Sequence, residues 1–193
     1  SIAKNALINS GLTIVCAGRN STVDAASGAD YPIQWNLPNG VAVSSSTMAD
    51  VPYPVASFST NLIHLHAPGR IIPIAHNDGV SYRYSSGTSL ATAKVAGALA
   101  LVSASHPGLT ADEQIHSLLA AVDKLPAYNG KNATGGRLNY RWAVTGPEQK
   151  MTPAGLILHG PMAGTFSVSI SHDLASWTML APVSYTHLRA HET

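Results

Sequence analysis

The stretch that most constrains this 193-residue chain runs from Ser86 to Val102. It opens as a tight turn of small residues and continues without proline through about four turns of Ala, Leu and Val, with the glycine at Gly97 as the main interruption. Gly87 allows a change of chain direction that residues with a Cβ resist. Lys94 is the sole charge, so the helix reads as apolar nearly all round and therefore buried. A chain built on such a helix has to supply covering layers from the rest of its length. The N-terminal end of the helix carries hydroxyls. There, unpaired N–H groups and the positive end of the helix dipole favour developing negative charge.

The covering layers read as α/β. Ile2, Ala3, Ala6 and Leu7 recur at helical spacing within Ser1–Ser10, as in the last turns of a helix whose start lies upstream, and Gly11 follows. Leu12 to Ala17 is a continuous apolar run between glycines, as expected of a parallel strand buried on both faces. Gly40 to Ser45 reads as a second strand, and Asn61 to His66 alternates polar and apolar residues before Ala67-Pro68-Gly69. His76-Asn77-Asp78-Gly79 signals a hairpin between Ile71-Ile72 and Val80-Ser81-Tyr82. Thr110-Ala111-Asp112-Glu113 is a capping box, and Ile115, Leu118, Leu119 and Val122 form the apolar stripe of the helix it opens. In an open parallel sheet, ligands gather beyond the carboxyl ends of the strands, where Gly18-Arg19-Asn20 lies.

Charged residues make up 11% of the chain and the formal net charge is +1, so nothing points to nucleic acid or to an anionic membrane surface. No run of apolar residues reaches the ~18 needed for a membrane span. Cys16 is the single cysteine, which excludes an internal disulfide framework; it reads as a small core residue. His64 and His66, two apart on a strand, would share one face and have a spacing that could hold a metal. No third ligand accompanies them, so they read as strand-end histidines.

Gly-Thr-Ser before a helix is by itself more often an N-cap than a nucleophile. The length of the match changes that reading. Ser86 to Gly97 resembles the nucleophile segment of the subtilisin-like serine proteases, Gly-Thr-Ser-Met-Ala-(Thr/Ser)-Pro-His-Val-(Ala/Ser)-Gly, with Leu90, Ala93 and Lys94 in place of Met, Pro and His. None of these three is a triad position in that family. The resemblance implies that Ser89 is the nucleophile. It extends to Ala17-Gly18-Arg19-Asn20, where the family has Ala-Gly-Asn and the Asn amide donates to the oxyanion. Counting from Ala17 places Arg19 on that position; counting back from Tyr31-Pro32 places Asn20 there. Asn20 is preferred, because a neutral amide donor suits an oxyanion hole of this kind. Tyr31-Pro32 matches a family pair whose peptide bond is often cis. Ala56-Ser57-Phe58-Ser59, Ala67-Pro68-Gly69 and Gly135 to Asn139 are further points of likeness.

The fold implied is α/β, the C-terminal portion of a subtilisin-like three-layer fold with a parallel sheet, followed by the start of a β module. Residues 1–145 read as the C-terminal part of the peptidase domain, and 146–182 as a linker and a truncated β-sandwich-like segment. Residues 183–193 read as translated sequencing adapter and are set aside, their histidines included.

A serine hydroxyl needs a base to take its proton and a third group to orient that base. The family's Asp and His segments precede its Ser segment, and neither pattern occurs in this chain. The expectation is a serine endopeptidase acting through a Ser89 acyl-enzyme, its triad Asp and His carried upstream, and no turnover by the 193 residues alone. The alternative is a pseudoprotease or a surface binding module on the same fold. An α/β nucleotide-binding protein is disfavoured, since no phosphate-binding glycine loop follows the first strand. By resemblance, Asp30, directly before Tyr31, lines the pocket for the side chain preceding the scissile bond, where a carboxylate would attract Arg or Lys. As an ordinary loop residue it would instead face solvent or cap its loop. The resemblance further implies a peptide or protein substrate, a secreted or cell-surface setting, and calcium as the one ion to look for; the residues themselves point to no cofactor.

Overall fold

The computed structural model describes residues 1–28 and 30–145, and beyond them the backbone of four strands. Helix α1 (Ile2–Ile8) leads into β1 (Ile14–Ala17), and a long loop connects β1 to β2 (Gly40–Ser46). Strand β3 (Leu65–Pro68) is followed by a hairpin of β4 (Ile72–Ala75) and β5 (Tyr82–Ser85). Helices α2 (Thr88–Ser105) and α3 (Ala111–Ala120), the short strands β6 (Asp123–Lys124) and β7 (Gly136–Arg137), and α4 (Tyr140–Thr145) complete this part.

Five strands form one sheet in the order β1-β2-β3-β7-β6. Strands β1, β2, β3 and β7 are parallel, and β6 closes the edge antiparallel to β7. The sheet is therefore mixed at one edge of an otherwise parallel α/β arrangement. Strand β2 is buried along its whole length, which explains its lack of polar alternation. Its side chains divide between two layers by the period of two. Val41 and Val43, with Leu65, pack in one core with Ala91, Val95, Leu99 and Val102 of α2 and Ile115 and Leu118 of α3. Ala42 packs on the other side with Ala25, Ile33 and Ile63, so irregular segments cover that face.

The structure differs from the sequence expectation for α2. Only one stripe of it is buried: Thr88, Ala91, Val95, Ala98, Leu99 and Val102. Ala93, Lys94, Ala96, Gly97 and Ala100 are exposed, and Leu101 is 51% exposed. The described chain supplies a sheet and two short helices against one side of α2 and nothing against the other. With 18 residues and a mean hydropathy of 1.2, α2 reaches the length and apolarity of a membrane span, unlike the shorter runs counted from the sequence. Its packing is that of a core helix, with Val95 and Val102 fully enclosed.

Other differences are local. Helix α1 opens on Ser1, whose Oγ accepts from the Lys4 N–H at 3.3 Å. In the hairpin, Asp78 accepts from the N–H groups of Val80 and Ser81 at 3.0 and 2.9 Å. That consumes the donors a strand would use, and β5 starts at Tyr82 instead of Val80. The α3 capping box forms as read, the Thr110 N–H donating to Glu113 at 2.8 Å and the Glu113 N–H to Thr110 at 3.4 Å. Strands β8 (Glu148–Thr152) and β9 (Gly155–His159) pair antiparallel, as do β10 (Thr165–Ile170) and β11 (Thr178–Ser184). The strand read at Phe166–Ile170 lies within β10. The segment Asp173–Trp177 and residues 185–193 lie outside the described residues.

Candidate active site

The carboxyl ends of β1 and β3 reach the same edge of the sheet, and the start of α2 is fastened to both. The Gly87 N–H donates to the Gly69 carbonyl at 2.8 Å. The Thr88 hydroxyl donates to the Gly18 carbonyl at 2.6 Å. Glycine at 69 is a steric requirement, since a Cβ there would lie 2.6 Å from the Gly87 carbonyl oxygen. Ser86 closes the base of the hairpin by accepting from the Ile71 N–H at 2.9 Å. The turn is thus held from three directions before the helix begins.

Ser89 is the second residue of α2 and is exposed. Among the described residues, neither its N–H nor its hydroxyl has a hydrogen-bond partner in the chain, and no histidine or carboxylate is bonded to it. Its N–H is one of the orphan donors of a helix start, and the dipole of an 18-residue helix adds positive potential there.

The structure brings Asn20, not Arg19, onto this helix start. The Thr88 N–H donates to Asn20 Oδ1 at 2.9 Å, and the Thr88 hydroxyl lies 3.2 Å from the same oxygen. With the amide oxygen accepting from the Thr88 N–H, Nδ2 is the end left to donate outward. The amide lies flat along Gly87, where a Cβ would sit 3.3 Å from both Nδ2 and Oδ1. The Asn20 amide and the free Ser89 N–H thus both belong to the helix start that carries the exposed Ser89 hydroxyl. Such a pair can stabilise an oxyanion formed on a carbonyl that the hydroxyl attacks.

Arg19 turns the other way. Its N–H donates to Ser57 Oγ at 2.9 Å and its carbonyl accepts from the Ser57 N–H at 2.9 Å. Its Nε lies 3.0 Å from Asp30 Oδ2. Asp30 thus has a partner in the chain, which the sequence reading did not foresee. The Tyr31–Pro32 peptide bond is cis, and the Tyr31 ring packs on Trp35 with centroids 5.1 Å apart. Thr88 and Ser57 are the residues that sequence reasoning missed. The signal for Thr88 was its place in the Gly-Thr-Ser run, and for Ser57 its place in Ala-Ser-Phe-Ser.

The two strand histidines support the sheet instead of a metal. His64 Nδ1 accepts from the Ala42 N–H at 2.8 Å. His66 is buried, with Nδ1 2.6 Å from Asn132 Nδ2. Asn132 is oriented by its other bonds, Nδ2 donating to the Gly136 carbonyl at 2.9 Å and Oδ1 accepting from the Gly136 N–H at 3.1 Å. Nδ1 is then an acceptor and the ring is neutral. Burial, reinforced by the nearby Lys131 charge, lowers the His66 pKa to about 4, and burial lowers that of His64 as well. Cys16 is a free, buried thiol whose pKa is raised by burial, which makes it unreactive. Among the described residues, no three His, Cys, Asp or Glu are grouped to hold a metal ion. The calcium implied by resemblance finds no acidic cluster there.

The Peptidase_S8 family model, described as the subtilase family, matches residues 2–137. A subtilase cytotoxin subunit of Escherichia coli is 36% identical over 88 residues, which cover 46% of this chain and 25% of that protein. An extracellular protease of Xanthomonas campestris pv. campestris is 31% identical over 150 residues, 74% of this chain and 25% of the relative. Among solved structures, the A-subunit of the AB5 toxin from E. coli superposes with a TM-score of 0.63 at 23% identity, covering 75% of this chain and 54% of that one. A structure describing subtilase cytotoxin SubAB assembly gives 0.64 at 25% identity, covering 75% and 53%. The chain spans a quarter of the length of these curated relatives.

Proposed function

This chain belongs to the subtilase family, and from that membership we propose that it is the nucleophile-bearing part of a secreted serine endopeptidase. Ser89 Oγ attacks the carbonyl carbon of a peptide bond while a base takes its proton. The Ser89 N–H and Asn20 Nδ2 bind the tetrahedral oxyanion. Collapse expels the amine, which takes the proton back from the base, and leaves an acyl-enzyme on Ser89 that water then hydrolyses. The base and the carboxylate that orients it lie, on this reading, in sequence outside these 193 residues, since no histidine among the described residues is bonded to Ser89.

The observation that supports the proposal is the hydrogen bond from the Thr88 N–H to Asn20 Oδ1, which ties a neutral amide to the residue preceding Ser89 at the helix start. Secretion is supported by the character of one relative, an extracellular protease. The test is to treat the longest protein that contains this chain with a fluorophosphonate probe and map the label. Labelling at Ser89, lost in Ser89→Ala, is the expected result. The 193-residue chain alone should show no turnover of casein. A whole protein that hydrolyses peptides without labelling at Ser89, or a properly folded one that neither labels nor hydrolyses, would replace this reading with a non-catalytic role on the same fold.

A further inference from the structure

An ion pair adjoins the site and takes no part in the chemistry above. Arg19 directly precedes Asn20, and its guanidinium Nε lies 3.0 Å from Asp30 Oδ2. The root of the Arg19 side chain is clamped, because its N–H and carbonyl both bond to Ser57. Its other end lies in a slot that glycine leaves open, since a Cβ on Gly28 would sit 2.8 Å from Nη1. Asp30 Oδ2 is itself buried and has no hydrogen bond, and the Arg19 guanidinium is the ion-pair partner it has among the described residues. The Arg19 side chain is 47% exposed and covers an acid side chain that is 28% exposed. An ion pair between two freely mobile surface chains counts for little. Here the carboxylate oxygen is already out of water beneath its partner.

We propose that Arg19 masks Asp30, filling from within the chain the place that a basic substrate side chain would otherwise take. A guanidinium tethered next to the carboxylate has a high effective concentration, which a free Arg or Lys side chain has to overcome. The pocket wall that the family resemblance places at Asp30 therefore does not select basic residues, contrary to what Asp30 alone implies. Removing Arg19 converts that wall into a cation-selecting surface. Arg19 is in this sense a specificity-determining residue, and its bearing on substrate choice rests on the proposed peptidase reading.

The masking is tested without catalysis by titrating the full chain with benzamidinium and with neutral benzamide, followed by NMR. The wild type should bind the two equally weakly. Arg19→Ala should bind benzamidinium at least about tenfold tighter than benzamide, as a charge-assisted hydrogen bond implies. Arg19→Ala/Asp30→Asn should lose that preference. Arg19→Gln, which keeps a donor but no charge, provides a second variant should Arg19→Ala fail to fold, and should show a smaller gain of the same kind. A wild-type preference for benzamidinium that depends on Asp30, or no gain in either Arg19 variant, overturns the proposal. In the whole protein, the ratio of kcat/KM for Arg over Phe before the cleaved bond should rise about tenfold in Arg19→Ala and fall back in the double variant. Failure of Ser89 labelling would sink the peptidase reading alone, because the binding titration decides the masking by itself.

Discussion

Acidification should destabilise this fold through His66, and the size of the effect follows from the environment of that residue. His66 is 1% exposed, and its Nδ1 accepts from Asn132, whose other bonds prevent the amide from turning over. Protonating Nδ1 would set two donors against each other 2.6 Å apart, in a site that also feels Lys131. The pKa accordingly falls from 6.5 to about 4 on folding. Between these values the unfolded chain binds the proton and the folded chain does not, so stability increases with pH. The contribution is fully present above 6.5 and is lost as pH falls toward 4. Linkage gives a loss of about 2 kcal/mol at pH 5 and about 3 kcal/mol by pH 4. Urea unfolding followed by tryptophan fluorescence across pH 7.5 to 4.5 measures the slope. His66→Gln, whose amide oxygen can still accept from Asn132, should lack this part of it, while the smaller same-sign contribution of His64 remains. Equal losses in the two proteins between pH 7 and pH 5, or a His66 imidazole that titrates above 6 by NMR, would refute the reasoning. Because β3 carries His66 and ends next to Gly69, the anchor of the turn before Ser89, acid unfolding of this strand should remove the site with it.

In the active whole protein, Asn20→Leu should lower kcat by about 10²–10³ with little change in KM, a magnitude carried over from the corresponding substitution in subtilisin itself. Arg19→Leu should leave kcat on neutral substrates within a few-fold; stopped assays at saturating substrate distinguish the two, and the reverse pattern would assign the oxyanion position to Arg19. Thr110→Ala removes the side-chain half of the α3 capping box and should cost about 1 kcal/mol, read as a fall of a few degrees in melting temperature.

Much of this architecture is legible in local sequence, because its causes are local. The turn at Ser86–Gly87 and the helix after it follow from small residues and the absence of proline. The capping box at Thr110 requires partners three residues apart. The continuous apolar run at Gly40 to Ser45 marks a strand covered on both sides. Ser89 could be singled out because the residues that present it are its immediate neighbours. What the tertiary structure decided are contacts between segments remote in sequence. Whether Asn20 or Arg19 meets the helix start depends on Ser57, 38 residues from Arg19, which fixes the backbone so that one side chain turns to Thr88 and the other to Asp30. That Asp30 is already neutralised follows from the same turn and from the slot at Gly28. Composition made α2 apolar all round, yet a helix is buried only where another layer stands against it, and the described chain places layers on one side. His64 and His66 had the spacing of metal ligands. Their backbone and amide partners at Ala42 and Asn132, reached only through strand pairing and a distant loop, made them neutral supports of the sheet.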